Sequence, residues 1–275
     1  MTDFIFKTKP YDHQLDALQD SYHKKQFALF MEMGCGKSKV AIDSFVQLYR
    51  EDKLDGVLIL APKGVYDTWY SKEIPTHIPE EINYHTVKWS NSNTLKKKKE
   101  LASLYEEPER LNIFIMNIEA LSTKIGTQQA TDFLFKRRCM FIIDESTTIK
   151  NHIAKRTQNT VRIGKYAYYK RILTGSPVTK SPLDLYSQSY FLDPSLLGFS
   201  SYFAFRNRYA NLIDKTLGNG RNFKQIVGYK NLEELNEKLS SFSYRVLKKD
   251  CLELPDKVYL KRTITMSDEQ KKVYK

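Results

Sequence analysis

The 275 residues, 41% hydrophobic and 28% charged, suffice for a sizeable buried core in one large domain or two smaller ones. No apolar run approaches the roughly 20 residues that span a bilayer, and Met1-Thr2-Asp3-Phe4 lacks the basic start and apolar stretch of a secretory signal, which argues against a secreted or membrane-bound protein. Lys and Arg number 44 against 32 Asp and Glu, a formal charge of +12 that favours polyanionic partners or marks an unspecialised basic surface.

In chain order, β-type apolar runs at 27–31, 57–61, 113–116, 140–144 and 171–174 alternate with helix-compatible stretches at 37–49, 65–74, 94–105, 128–136 and 154–163. Runs with few polar residues read as strands buried on both faces, and their alternation with helices predicts a parallel sheet with crossover helices. Ligands in such sheets gather at the carboxyl ends of the strands. Beyond Pro177 the pattern changes: Leu183, Leu185, Tyr186, Tyr190, Phe191 and later Leu232, Leu235, Leu239 recur at helical spacing, predicting a helical insertion with a Gly-containing loop near 217–221. A last β-like run is expected at 258–264. The cysteines Cys35, Cys139 and Cys251 are widely spaced and form no C-x-x-C pair, which argues against a zinc site or a disulfide framework.

Two segments carry chemistry. Met31-Glu32-Met33-Gly34-Cys35-Gly36-Lys37-Ser38 follows a β-type run and precedes a helix. Glycines there let successive backbone N–H groups curl toward phosphate oxygens, and the helix adds its positive end. In that reading Met33, Gly34, Cys35 and Gly36 line a phosphate cradle, Lys37 reaches the β and γ phosphates, and the Ser38 hydroxyl ligates Mg²⁺. A P-loop would carry Gly at Met31, and the alternative is a Gly-rich turn with an incidental lysine. The second segment, Phe141-Ile142-Ile143-Asp144-Glu145, is an apolar strand ending in two carboxylates. Asp144 would hold Mg²⁺ and Glu145 would orient and deprotonate an attacking water; by itself, such an end is also a common helix cap.

Together these segments resemble the first RecA-like lobe of the Swi/Snf-type ATPases among the superfamily-two helicases. The family's Asp-Glu-Met-Gly-Leu-Gly-Lys-Thr is matched at Glu32, Met33, Gly34, Gly36 and Lys37, with Ser38 for Thr. Its Asp-Glu-Ala-His box with trailing Ile-Lys-Asn appears as Asp144-Glu145-Ser146-Thr147-Thr148-Ile149-Lys150-Asn151. Leu173-Thr174-Gly175-Ser176-Pro177 matches its Leu-Thr-Gly-Thr-Pro segment, Ala61-Pro62-Lys63 with Trp69 its Ala-Pro…Trp segment, and Gln14 in Pro10-Tyr11-Asp12-His13-Gln14 its adenine-reading glutamine. The departures are Thr147 in place of the box His, Asn117-Ile118 in place of a Thr/Ser-Tyr pair, and Cys35 in place of Leu. Cys35 is either structural or a thiol activated by the helix end.

The resemblance implies a RecA-like P-loop lobe over 1–180, with a mainly parallel sheet flanked by helices, a helical protrusion over 181–250, and a segment over 251–275 leading toward a second RecA-like lobe in cis or trans. It implies an ATP- and Mg²⁺-dependent, DNA-dependent ATPase that moves on or remodels duplex DNA, with a strand-separating helicase or a nucleotide-gated adaptor as alternatives. Lys37 and Glu145 take the catalytic roles, Gln14 reads adenine, Lys63 and Asn117 touch the DNA backbone, and Thr174 and Ser176 couple hydrolysis to movement. Because the family's arginine finger comes from the second lobe, a chain stopping at Lys275 is expected to be weakly active alone. The expected location is cytoplasmic or on nucleoid DNA.

Overall fold

The computed structural model describes residues 4–107, 109–218, 220, 222–251 and 260–274. Strict alternation of apolar side chains along four buried strands fixes the architecture. On one face, Phe27, Leu29, Met31, Val57, Ile59, Ile113, Ile115, Met140 and Ile142 join one apolar cluster. On the other, Ala28, Phe30, Leu58, Leu60, Phe114, Met116, Phe141 and Ile143 join a second. A strand with apolar residues at every position can only be satisfied between two layers of cover.

Among the described residues the main sheet has seven strands, all parallel, in the order β3-β4-β2-β5-β6-β1-β9. These are β1 (Gln26–Met31), β2 (Gly56–Ala61), β3 (Tyr84–Lys88), β4 (Leu111–Asn117), β5 (Cys139–Asp144), β6 (Tyr169–Leu173) and β9 (Ser243–Val246). Helix α1 (Asp12–Ser21), helix α2 (Lys37–Arg50) and the segment around Trp69 cover the first face. Helices Lys124–Lys136, Lys155–Gly164, Leu185–Leu192 and Tyr202–Tyr209 cover the second. No helix among the described residues is long and apolar enough to cross a membrane.

The five strands expected between residues 27 and 174 form, each displaced by two residues or fewer at either end. Two strands of the sheet carried no expectation. β3 lies at an edge, half-exposed at four of its five positions, so its residues have little apolar signal. β9 lies at the other edge and comes from the stretch expected to be helical. Ser243, Tyr244, Arg245 and Val246 form no apolar run; the open edge of β1 recruits their backbone, pairing Ala28 with Ser243 and Met31 with Val246. The same stretch also holds an antiparallel hairpin, β7 (Ala210–Thr216) with β8 (Asn222–Tyr229), so it mixes helix and strand. Of the expected final strand, positions 258 and 259 lie outside the described residues, as does the 254–257 segment, and 260–264 has no regular secondary structure.

One buried charge ties the layers together. Arg171 on β6 is fully buried, and its guanidinium donates to the carbonyls of Ser21 (2.7 Å), Lys170 (2.9 Å), Tyr22 (3.2 Å) and Lys25 (3.3 Å). The Ser21 and Tyr22 carbonyls close the C-terminal end of α1, where the helix dipole is negative. Burial pulls the Arg171 pKa down to about 9.

Candidate functional site

The phosphate-loop sequence occupies the turn between β1 and α2. Gly34 and Gly36 take φ of +88° and +84°, the left-handed region that side chains resist, and Gly36 caps α2. The turn is hemmed in as well as curled: a Cβ on Gly36 would lie 2.2 Å from Gln14 Nε2, and one on Gly34 would lie 2.8 Å from Lys248 Cε. Lys37 is buried, its ammonium donating to the Met31 carbonyl at 3.0 Å across the mouth of the turn. Ser38 follows in the first turn of α2, and Met33 is exposed at the rim.

Asp144 ends β5, two strands from β1. Its carboxylate accepts from Trp69 Nε1 (2.8 Å) and from the Glu145 amide (3.0 Å). Burial pushes its pKa above the ordinary carboxylate range, opposed by the Trp69 bond and by the nearby Lys37 ammonium. Because β1, β6 and β5 are adjacent and parallel, Lys37, which follows β1, and Asp144, which ends β5, lie along the carboxyl ends of the strands. Glu145 sits at φ +50°, an unusual conformation for a side-chain residue, and its Oε2 accepts from the Thr174 hydroxyl at 3.1 Å. Thr174 in turn accepts from the Ser176 amide (3.2 Å) and, through its own amide, donates to Leu29 of β1 (3.2 Å). A Cβ on Gly175 would come within 3.0 Å of the Met33 amide. These segments enclose a cleft of about 380 Å³ lined by Glu32, Met33, Glu145, Thr147, Thr174 and Ser176 with their neighbours.

A second bridge joins the carboxylate box to the same segment: the Ser146 hydroxyl donates to Gln188 Oε1 (2.6 Å), and Gln188 Nε2 donates to the Pro177 carbonyl (2.8 Å). Glu145 and Ser146 thus join this box to the 174–177 segment, with no bond from Thr147 needed. Gln188 lies in the Leu185–Leu192 helix, and nothing in its sequence neighbourhood marks it. Lys248 was missed for the same reason. Its amide donates to Glu32 Oε2 (2.9 Å) and its side chain lies on Gly34, because β9 delivers residue 248 beside the turn. Trp69, known from the sequence only as part of a motif, proves to be the buried partner of Asp144.

Gln14 adjoins the loop but its amide is engaged there: Oε1 accepts from the Tyr11 amide (3.1 Å) and Nε2 donates to the Cys35 carbonyl (3.2 Å). One acceptor lone pair and one N–H remain for adenine. Of the two readings of Cys35, the structural one fits its surroundings. Its side chain is fully buried, and burial, with the Cys251 thiol beside it, raises its pKa to about 11. Fold, not spacing, brings these cysteines together, with sulfurs 3.9 Å apart across 216 positions of sequence. Lys63 and Asn117 follow or end the neighbouring strands β2 and β4, where Ala61 pairs with Asn117. Lys63 is exposed, and the Asn117 amide donates to Glu119 at 3.1 Å. As donors, a Ser38 hydroxyl and an Asp144 carboxylate are hard oxygens that fit Mg²⁺, and the curled amides of 34–37 fit a phosphate chain.

The description "SNF2-related domain" matches residues 13–275. The chain belongs to the SNF2-related family. Among SNF2-related relatives, the SWI/SNF-related matrix-associated actin-dependent regulator of chromatin subfamily A-like protein 1 of Drosophila melanogaster is 30% identical over 74% of this chain and 23% of its own length. The DNA annealing helicase and endonuclease ZRANB3 of Bos taurus is 29% identical over 82% of this chain and 20% of its own. The fold matches the Sulfolobus solfataricus SWI2/SNF2 ATPase core solved with double-stranded DNA, at TM-score 0.67 and 22% identity, covering 90% of this chain and 46% of that one. This SNF2-related chain thus has the RecA-like sheet of that core and spans under a quarter of the length of these two curated relatives.

Proposed function

We propose that this chain binds MgATP in the cleft between the phosphate loop and the end of β5 and hydrolyses it to drive movement on duplex DNA. The observation that carries this reading is the position of Lys37 and Asp144 at the carboxyl ends of parallel strands of one sheet, with Glu145 bonded to Thr174. The loop amides of 34–37 bind the phosphates, and Lys37 leaves the Met31 carbonyl for the β and γ oxygens. Ser38 and Asp144 hold Mg²⁺, which when bound neutralises charge on the phosphate oxygens. Glu145 accepts the proton of a water as that water's oxygen bonds to the γ phosphorus and the β–γ bridging oxygen departs on ADP. Glu145 also bonds Thr174, so a change in its charge is felt by the Thr174–Ser176 segment; this is the proposed route from hydrolysis to movement.

The described residues lining the cleft include no arginine. A second RecA-like lobe, in cis or in trans, is proposed to supply one, and without it turnover is slower by about 10³–10⁵. The homology to DNA-acting helicases and to a core solved on double-stranded DNA supports duplex DNA as the track, with Lys63 and Asn117 at its backbone. The test is nucleotide binding and single-turnover hydrolysis by the chain. Lys37→Ala should lose most MgATP affinity. Glu145→Gln should keep that affinity while cleavage falls by about 10²–10⁴, the range for losing a general base. Wild-type binding and cleavage by Lys37→Ala would overturn the reading.

A further inference from the structure

At the phosphate loop itself, three soft or borderline ligands meet. One ligand atom each from His13, Cys35 and Cys251 lies within 4.8 Å of the others. His13 comes from α1, Cys35 from the loop, and Cys251 from the short helix Lys248–Cys251 that follows β9. The two sulfurs stand 3.9 Å apart. In a tetrahedral zinc site with Zn–S bonds of about 2.3 Å, the sulfurs are about 3.8 Å apart. The spacing is therefore already that of a metal-bridged thiolate pair, whereas a disulfide would require the sulfurs to close to about 2.05 Å. His13 and Cys251 also line a cavity of about 540 Å³ shared with Asp12, Asp16 and Asp250, which gives an ion a route in and leaves room for a water at a fourth position.

We propose that His13, Cys35 and Cys251 form a binding site for one thiophilic divalent cation of the zinc class. Binding releases one proton from each thiol, and the cation with two thiolates and a neutral imidazole is a complex of zero net charge. That neutrality suits the site, since Cys35 is fully buried and His13 nearly so, and two thiolates alone would be costly there. The bound ion clasps three segments that the chain keeps far apart: α1, the loop that curls around Gly34 and Gly36, and the chain leaving β9. This is a different site from the Mg²⁺ position, whose donors are the oxygens of Ser38 and Asp144, and it does not depend on the nucleotide reading.

The experiment is a cobalt titration of the reduced, chelator-treated full chain, followed by displacement with zinc. One equivalent of Co²⁺ should give a thiolate-to-metal charge-transfer band and the intense visible bands of tetrahedral coordination, both abolished by zinc. Cys251→Ser should lose about half of the charge-transfer intensity and at least about tenfold in affinity, more than the loss of an outer-sphere partner. His13→Ala should weaken binding while keeping the charge-transfer band, and Cys139→Ser should change nothing. Circular dichroism of each variant separates loss of a ligand from loss of the fold, and any variant that unfolds is replaced by zinc-dependent protection of two thiols in the wild-type chain. A weak octahedral spectrum, wild-type behaviour of Cys251→Ser, or thiols that react equally with and without zinc would overturn the proposal.

Discussion

Gly36 holds its left-handed conformation with the Gln14 amide in the space a Cβ would occupy, so two separate penalties meet any side chain there. An alanine in that backbone region costs about 1–2 kcal/mol, and its methyl would also displace Gln14 from the Cys35 carbonyl. Gly36→Ala should therefore lower the unfolding free energy by at least about 1 kcal/mol and weaken MgATP binding, measured by urea denaturation and nucleotide titration of the same protein. Lys248 makes a different residue-scale case. Its charge lies on Gly34, beside the proposed phosphates, and Lys248→Ala should weaken MgATP several-fold while leaving the fold intact. Unchanged affinity would mean that its side chain is only packing against the glycine.

At the scale of elements, α2 carries a buried ion pair in its N-terminal half. Lys39 and Asp43 lie one turn apart at 2.8 Å, both buried. Burial outweighs the lysine and raises the Asp43 pKa from 3.8 to about 6. The folded state thus holds a proton on Asp43 that the unfolded chain has already released. The stability this contributes is complete below 3.8 and is lost as pH rises through about 6, amounting to about 3 kcal/mol at about 1.4 kcal/mol per pH unit. Urea denaturation of the wild-type chain and of Asp43→Asn at pH 4 and pH 7 should show that loss in the wild type alone.

The elements also show how far the sequence could be read. β1, β2, β4 and β5 were legible because each is buried on both faces and is therefore mostly apolar, and β6, which carries Lys170 and the buried Arg171, through its apolar Ile172-Leu173 end. Their carboxyl ends then located Lys37, Ser38, Asp144, Glu145, Thr174 and Ser176 on one edge. The rest was hidden for stated reasons. β3 and β9 are edge strands held by backbone bonds, which leave little trace in side-chain pattern. Gln188, Lys248 and the pairing of Cys35 with Cys251 depend on long-range crossings that no local spacing records. The amide of Gln14 was assigned to adenine, while in the structure it bonds the Tyr11 amide and the Cys35 carbonyl.

For the whole molecule, the basic surplus and the strand-end position of Lys63 bear on DNA binding. Contacts to phosphate release counterions, so the logarithm of affinity should fall linearly with the logarithm of salt concentration, with little dependence on sequence. Lys63→Ala should make that slope shallower by about 1, read from duplex binding over a salt series. A slope unaltered by the substitution would remove Lys63 from the interface.

β9 is the last strand of the sheet to be synthesised, yet it lies next to β1, the first. Its pairing satisfies the Ala28 and Glu32 amides through the Phe242 and Val246 carbonyls. A polypeptide ended near residue 180 would hold every sequence motif except this neighbour, and would present β1 as a bare hydrogen-bonding margin to solvent. Such margins invite pairing between molecules. The shortened protein is therefore expected to self-associate where the longer one stays dispersed, and the nascent chain on the ribosome passes through the same vulnerable stage.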